Sequence, residues 1–282
     1  MEPDSGADSV TSIAELIAMF GGKGEVGRTL AVGSLIAARV TPLTVLAPFL
    51  ATRAAPATVR TAIVLALTVA FVPIAMQSAA AVHVGAPYWP LMIARELSLG
   101  LIFALAVALP FYALDWTGHL TDIWRGASMS EVMSPTTGEQ TSPLGQLYLF
   151  VGIVLFVTLG GLRFSMIAFA DSLQTAPIGA LTLGSDFSSW GLGIARLSGS
   201  ALALSAAMAA PAAVAIVLVE FGLGLIARSA PQVPVYFAGM PLRAATGLAV
   251  VLLAISVTID GLPRVFSDAV EQGAALLRTI GR

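Results

Sequence analysis

Six apolar stretches, each close to the length that crosses a bilayer as a helix, set the terms for this sequence: Leu30–Leu50, Thr61–Val82, Leu97–Leu114, Leu144–Leu162, Leu197–Val219 and Ala244–Leu262. A spanning helix needs about 20 mostly apolar residues. Core helices of soluble domains are usually shorter and keep a polar face, whereas the second, fourth and sixth stretches are apolar all round. A closed barrel would alternate with period two, and none of the stretches does. The expected fold class is therefore all-α: a polytopic membrane protein of about six hydrophobic, proline-kinked helices.

Composition agrees. Charged residues make up 11% of the 282 and hydrophobic residues 57%, against about 25% charged in an ordinary soluble domain. So few charges cannot coat a water-facing surface, and lipid or partner subunits must cover the rest. The net charge of −2 offers no basic footprint for nucleic acid. With no cysteine, there are neither disulfides nor thiolate metal sites. Two isolated histidines, His83 and His119, do not make a zinc site by themselves.

Catalytic signatures are equally thin. Ser128 and Ser130, in Gly126-Ala127-Ser128-Met129-Ser130, lack the second glycine of a nucleophile elbow, and no H-E-x-x-H occurs. Gly22-Lys23-Gly24-Glu25-Val26-Gly27-Arg28-Thr29 imitates phosphate-binding loops, but such loops need a strand before and a helix after in an α/β unit. The reading here is a glycine-rich hinge. No catalytic residue, metal or cofactor is expected, and the chain is not read as an enzyme.

The chain divides into an acidic amphipathic segment at 1–28, a helical membrane domain at 29–262 and a C-terminal amphipathic helix at 263–282. The opening Met1-Glu2-Pro3-Asp4 is acidic and far from the first apolar run, unlike a cleavable signal, so that run is expected to remain. Ser12 with Glu15 fits a capping box, and Val10, Ile13, Ile17 and Phe20 share a face. Phe266, Val270, Leu277 and Ile280 do the same at the other end. Each end reads as a helix at the membrane interface. Basic residues fall on both sides of a six-span arrangement, so the positive-inside rule assigns no orientation.

Pro42 and Pro48, Pro73, Pro110 and Pro211 lie within the apolar stretches. Each removes a backbone donor, which gives either ordinary kinks or helices broken around a path. Ala201, Ser205, Ala209 and Ala213 form a small-xxx-small stripe suited to close helix approach. Charges inside apolar segments usually face a bundle interior or a wet cavity. Arg39 lies near the middle of the first stretch and calls for a carboxylate of this chain or of a partner. Arg95, Glu96 and Glu220 lie at segment ends.

The third loop, Asp115 to Pro143, has about 29 residues, far above the usual connection length. Trp116, Ile123, Trp124, Met129, Val132 and Met133 are interspersed with charges, and Pro135-Thr136-Thr137-Gly138 is a turn signal. Such a loop is expected to fold back on the helices, with methionines as deformable contacts.

From Arg125 to Phe150, RGASMSEVMSPTTGEQTSPLGQLYLF resembles the loop and following helix of the FliR/SctT family, export-gate subunits of type III secretion systems. The resemblance continues in Ala38-Arg39-Val40 through Leu50, Pro56 to Arg60, Arg95-Glu96 with Gly100, Leu159-Gly160-Gly161-Leu162, and Ala230 to Leu242. It covers roughly 30–255 and is closer to injectisome than to flagellar members.

The resemblance implies a structural, non-catalytic subunit of the bacterial inner membrane. It implies an R-like unit joined to an S-like helical hairpin in a helical assembly. Implied partners are R-type (FliP-like), S-type (FliQ-like) and U-type (FlhB-like) proteins, membrane lipid and exported unfolded chains. The loop at 125–140, with Arg125, Ser128, Met129, Glu131, Met133 and Glu139, is implied to help close the pore. Arg39, Arg95, Glu96 and Glu220 are implied as polar contacts between subunits. The competing reading is a stand-alone secondary transporter or channel for a small solute. That reading calls for internal repeats and midplane carboxylates, and no clear repeat occurs.

Overall fold

The computed structural model of the protein describes residues 23–50, 55–79, 88–127, 142–179, 187–232 and 234–280. The N-terminal amphipathic face and capping box, and Ser128, Met129, Glu131, Met133 and Glu139, lie outside the described residues. Among the described residues the chain is all-helical, with no strand. The helices are α1 (Lys23–Leu46), α2 (Ala57–Ser78), α3 (Trp89–Trp124), α4 (Pro143–Thr158), α5 (Gly161–Thr175), α6 (Phe187–Ser229) and α7 (Val235–Ile280). Five of them are long and apolar enough to cross a membrane, or up to six if the bent pair α4–α5 counts as one.

The prolines lie inside continuous helices or beyond a helix end rather than at breaks. α1 runs through Pro42, α2 through Pro73, α3 through Pro110, α6 through Pro211 and α7 through Pro241 and Pro263. Pro48 falls just beyond α1, where a proline commonly follows a helix end. The break comes instead at glycine. α4 stops at Thr158, Gly160 takes φ +76°, and α5 leaves at 72° to α4. That left-handed φ is accessible to glycine without the steric cost of a Cβ. The fourth apolar stretch is thus a bent pair rather than one straight helix.

Two further boundaries differ from hydropathy. Lys23 to Thr29, read as a hinge, is the first part of α1. There Arg28 donates to the carbonyl of Ala79, the C-cap of α2, at 3.3 Å. The third loop also starts later than expected, because α3 continues to Trp124. Thr117 and Thr121 return their hydroxyls to the carbonyls of Ala113 and Thr117, and both are buried. Residues 263–280 likewise continue α7, with Phe266, Val270 and Leu277 buried.

The chain forms two compact units: residues 1–105, 166–187 and 273–282 in one, 106–165 and 188–272 in the other. In the first, α1 packs against α2, with Gly33 facing Thr68 and Val72. Phe169 of α5 meets Phe71 at 4.9 Å and Phe103 at 5.6 Å between ring centroids. In the second, Phe111, Phe156 and Phe266 form a three-way aromatic cluster with centroids 4.8 to 5.2 Å apart. The small-residue stripe is the buried face of α6: Ala201, Ser205 and Ala209 are buried, then Ala212 in place of the half-buried Ala213. It admits α3 closely enough for the Thr117 hydroxyl to reach the carbonyl of Ser205 at 3.4 Å.

Burial is uneven. In α3, 72% of the apolar stretch is buried, against 17% in α2, 22% in α6 and 17% in α7. Phe221, Leu225, Phe237, Leu252 and Leu253 are among the large apolar side chains left exposed. Contiguous exposed apolar surface of this kind marks contact with lipid or with other protein.

Candidate functional site: a buried charge cluster and the roots of the central loop

Arg39, Arg95 and Glu96 come together in the first unit. Gly100 makes this possible. A Cβ there would sit 2.1 Å from the Arg39 carbonyl oxygen, so α1 and α3 cross with their backbones in contact. Glu96 lies one turn earlier on the same face of α3. Its carboxylate accepts from Arg39 Nε at 2.6 Å and from Arg95 Nη1 at 2.8 Å. All three side chains are almost closed to solvent.

Arg39 does a second job. Its Nη1 donates to the carbonyl of Ser172 at 3.1 Å and its Nη2 to that of Ala176 at 2.9 Å. These carbonyls lie at the C-terminal end of α5, where the Ser172 carbonyl also takes Ala176 N–H at 3.0 Å and a cation is favoured by the helix dipole. One guanidinium therefore joins α1, α3 and α5. Arg95 Nη1 also reaches the carbonyl of Pro177 at 3.3 Å, while Arg95 Nε and Nη2 have no hydrogen-bond partner among the described residues. Burying such charges is favourable only when they are paired and their hydrogen bonds largely satisfied. The carboxylate that Arg39 called for is thus one of this chain.

Glu220 is different. It is half-exposed on α6 and faces Arg243 of α7, Nε to Oε1 at 3.4 Å.

Arg125 belongs to the second unit. It is the C-cap of α3, and Gly126 follows at φ +79°. Gly126 N–H donates to Ile123 and Ala127 N–H to Asp122, the paired pattern that ends a helix at a left-handed residue. The stem of Arg125 packs where a Cβ on Gly247 would stand, and its Nε donates to Asp122 Oδ1 at 2.5 Å.

Asp122 was not singled out in the sequence. Its other oxygen accepts from the Ser142 hydroxyl, and from Leu144 N–H at 3.0 Å. Ser142 Oγ in turn accepts from Gly145 N–H at 2.8 Å, with Pro143 opening α4. Ser followed by Pro ahead of an apolar run is a legible helix start, but nothing local announces the carboxylate 20 residues earlier. Beside it α3 and α4 touch, since a Cβ on Gly118 would stand 2.2 Å from Gly145 N. Among the described residues no group of acidic or histidine side chains could hold a metal ion.

The comparisons with known proteins fit this architecture. The chain is similar to the secretion system apparatus protein SsaT of Salmonella typhimurium, 31% identical over 199 residues, which is 70% of this chain and 76% of that protein. It is similar to the Yop proteins translocation protein T of Yersinia pestis, 32% identical over 155 residues, 55% of this chain and 59% of that protein. Similarity to the flagellar biosynthetic protein FliR of Bacillus subtilis is lower, 24% over 194 residues, 69% of this chain and 75% of that protein. The family profile of the bacterial export proteins, family 1, matches residues 30–269, from the first apolar stretch nearly to the end of α7. By that match the chain belongs to the bacterial export proteins, family 1, the FliR/SctT family that its loop and helix starts resemble.

Proposed function

We propose that this protein is a structural subunit of the export gate of a type III secretion system, built into the bacterial inner membrane and without catalytic activity. The observation that carries this is the family match across 30–269, over a chain whose helices leave long apolar faces uncovered. The higher identity to the apparatus and translocation proteins than to the flagellar one favours an injectisome. R-type (FliP-like) and S-type (FliQ-like) subunits would cover part of the apolar surface, and the U-type (FlhB-like) switch protein would join them. Unfolded substrates would pass along the assembly.

The loop at 125–140 would help to close the resting pore, its methionines yielding to a passing chain. Glu220, half-exposed on α6 and paired with the partly buried Arg243 of α7, is the stronger candidate for a polar contact between subunits. Arg39, Arg95 and Glu96 would serve such contacts indirectly, by fixing the α1–α3–α5 arrangement. A solute transporter needs a titratable midplane carboxylate free to couple, whereas Glu96 is already held by two arginines.

Purification in mild detergent tests the reading. A stoichiometric complex with two other small hydrophobic proteins is expected, and a monodisperse monomer that binds a solute would overturn it. Deleting Ser128–Glu139 should make the assembled gate leak ions or small solutes; unchanged permeability would remove the pore-closing role from the loop.

A further inference from the structure

We propose that Asp122 is a positioning residue that ties together the two roots of the segment 128–141 in the resting protein. The inference rests on the reading of that loop as a pore-closing element only for its consequence; the tie itself stands on described residues. One carboxylate serves both roots. Oδ1 takes Arg125 Nε–H on the α3 side, and Oδ2 takes the Ser142 hydroxyl and Leu144 N–H on the α4 side.

Several observations set this apart from a local helix cap. Ser142 Oγ caps Gly145 N–H from within the chain at the start of α4, whereas Asp122 reaches from another helix to take Leu144 N–H, a second free donor of the first turn. The carboxylate is almost fully buried, where an ion must be well paired to be tolerated. Arg125 supplies the countercharge, and the N-terminus of α4 adds the favourable end of its dipole. Finally, two of the three partners, Arg125 Nε–H and Leu144 N–H, can only donate, one to each oxygen. A carboxylate accepts on both edges, whereas an amide presents a donor on one of them. Asp122→Asn loses either the Arg125 bond, which lies within the α3 root, or the Leu144 bond, whereas Asp122→Ala removes every bond this side chain makes to the start of α4.

The test exploits the absence of native cysteine. Spin labels at Ala127→Cys and Gln146→Cys report root spacing by pulsed electron resonance in the purified export complex. A second pair at Tyr112→Cys and Phe150→Cys, away from the tie, reports helix packing. The expected result is one narrow root distance in the parent, a broadened distribution in Asp122→Ala, restoration of the narrow one in Asp122→Glu, and an unchanged second pair throughout. A narrow root distance retained in Asp122→Ala would overturn the proposal. So would equal broadening of both pairs, which would assign Asp122 to general packing. Solute leakage of the same variants is read beside the Ser128–Glu139 deletion. If the deletion does not leak, the pore-closing reading fails while the spacing result still decides the tie.

Discussion

The guanidinium of Arg39 and the carboxylate of Glu96, 57 residues apart in the chain, meet at 2.6 Å in a site closed to solvent. The same carboxylate holds Arg95, so Glu96 is the shared acid of two buried bases. Its loss should therefore cost more than the loss of either base.

Arg39→Ala is expected to destabilise the protein by about 3–5 kcal/mol, the usual cost of breaking a buried ion pair. It also leaves the α5 carbonyls of Ser172 and Ala176 without these donors. Glu96→Ala should be worse, because two buried cations are stranded. Thermal unfolding or detergent-resistant yield of the purified complex ranks the two. Arg39→Lys should not rescue, since one ammonium cannot reproduce the planar fork. A milder effect for Glu96→Ala than for Arg39→Ala would contradict this account.

Glycines on the same helices should separate sharply. Gly100→Ala places a methyl 2.1 Å from the Arg39 carbonyl oxygen, which neither backbone can relieve without pulling α1 from α3. Loss of folded protein is expected. Gly27→Ala meets nothing within 4 Å and should be neutral or stabilising by up to about 1 kcal/mol, the helix preference of alanine over glycine. Expression with a melting curve checks both.

Phe156→Ala removes the ring that touches both Phe111 and Phe266 and that lies against Gly161 at the bend. A loss of about 3–5 kcal/mol is expected for a core phenylalanine. Phe150→Ala, on an exposed position of the same helix, should cost far less in the isolated subunit. Comparing the two by thermal denaturation checks that α4 buries the Phe156 face.

Exposed apolar positions test where the surface goes. Single cysteines at Leu65, Phe221 and Leu253, which are 66%, 68% and 78% exposed, can be labelled without background from native cysteine. If partner subunits cover these faces, labels should be quenched by lipid-soluble agents in the isolated subunit and protected in the complex. Equal quenching in both would assign the faces to lipid.

The sequence by itself determined the phase and the class. Apolar runs of spanning length with few charges exclude a water-facing surface, and periodicity excludes strands; both are properties of the local chain and need no partner to be read. Helix starts were also legible where the signal is local, as at Ser142-Pro143. Ser205 and Ala209 could be placed on a packing face from spacing alone. The tertiary structure decided what local signals cannot carry. It gave Arg39 its carboxylate from another helix and its carbonyls from a third. It kept residues 115–124 helical by burying their polar groups, and it bent the fourth stretch at Gly160 rather than at a proline. Asp122 shows the difference most clearly. Hydropathy treats it as one charge in a loop, and only the approach of α4 to α3 makes it the acceptor for Arg125, Ser142 and Leu144, because a hydrogen bond between distant residues is fixed by geometry that no short window of sequence contains.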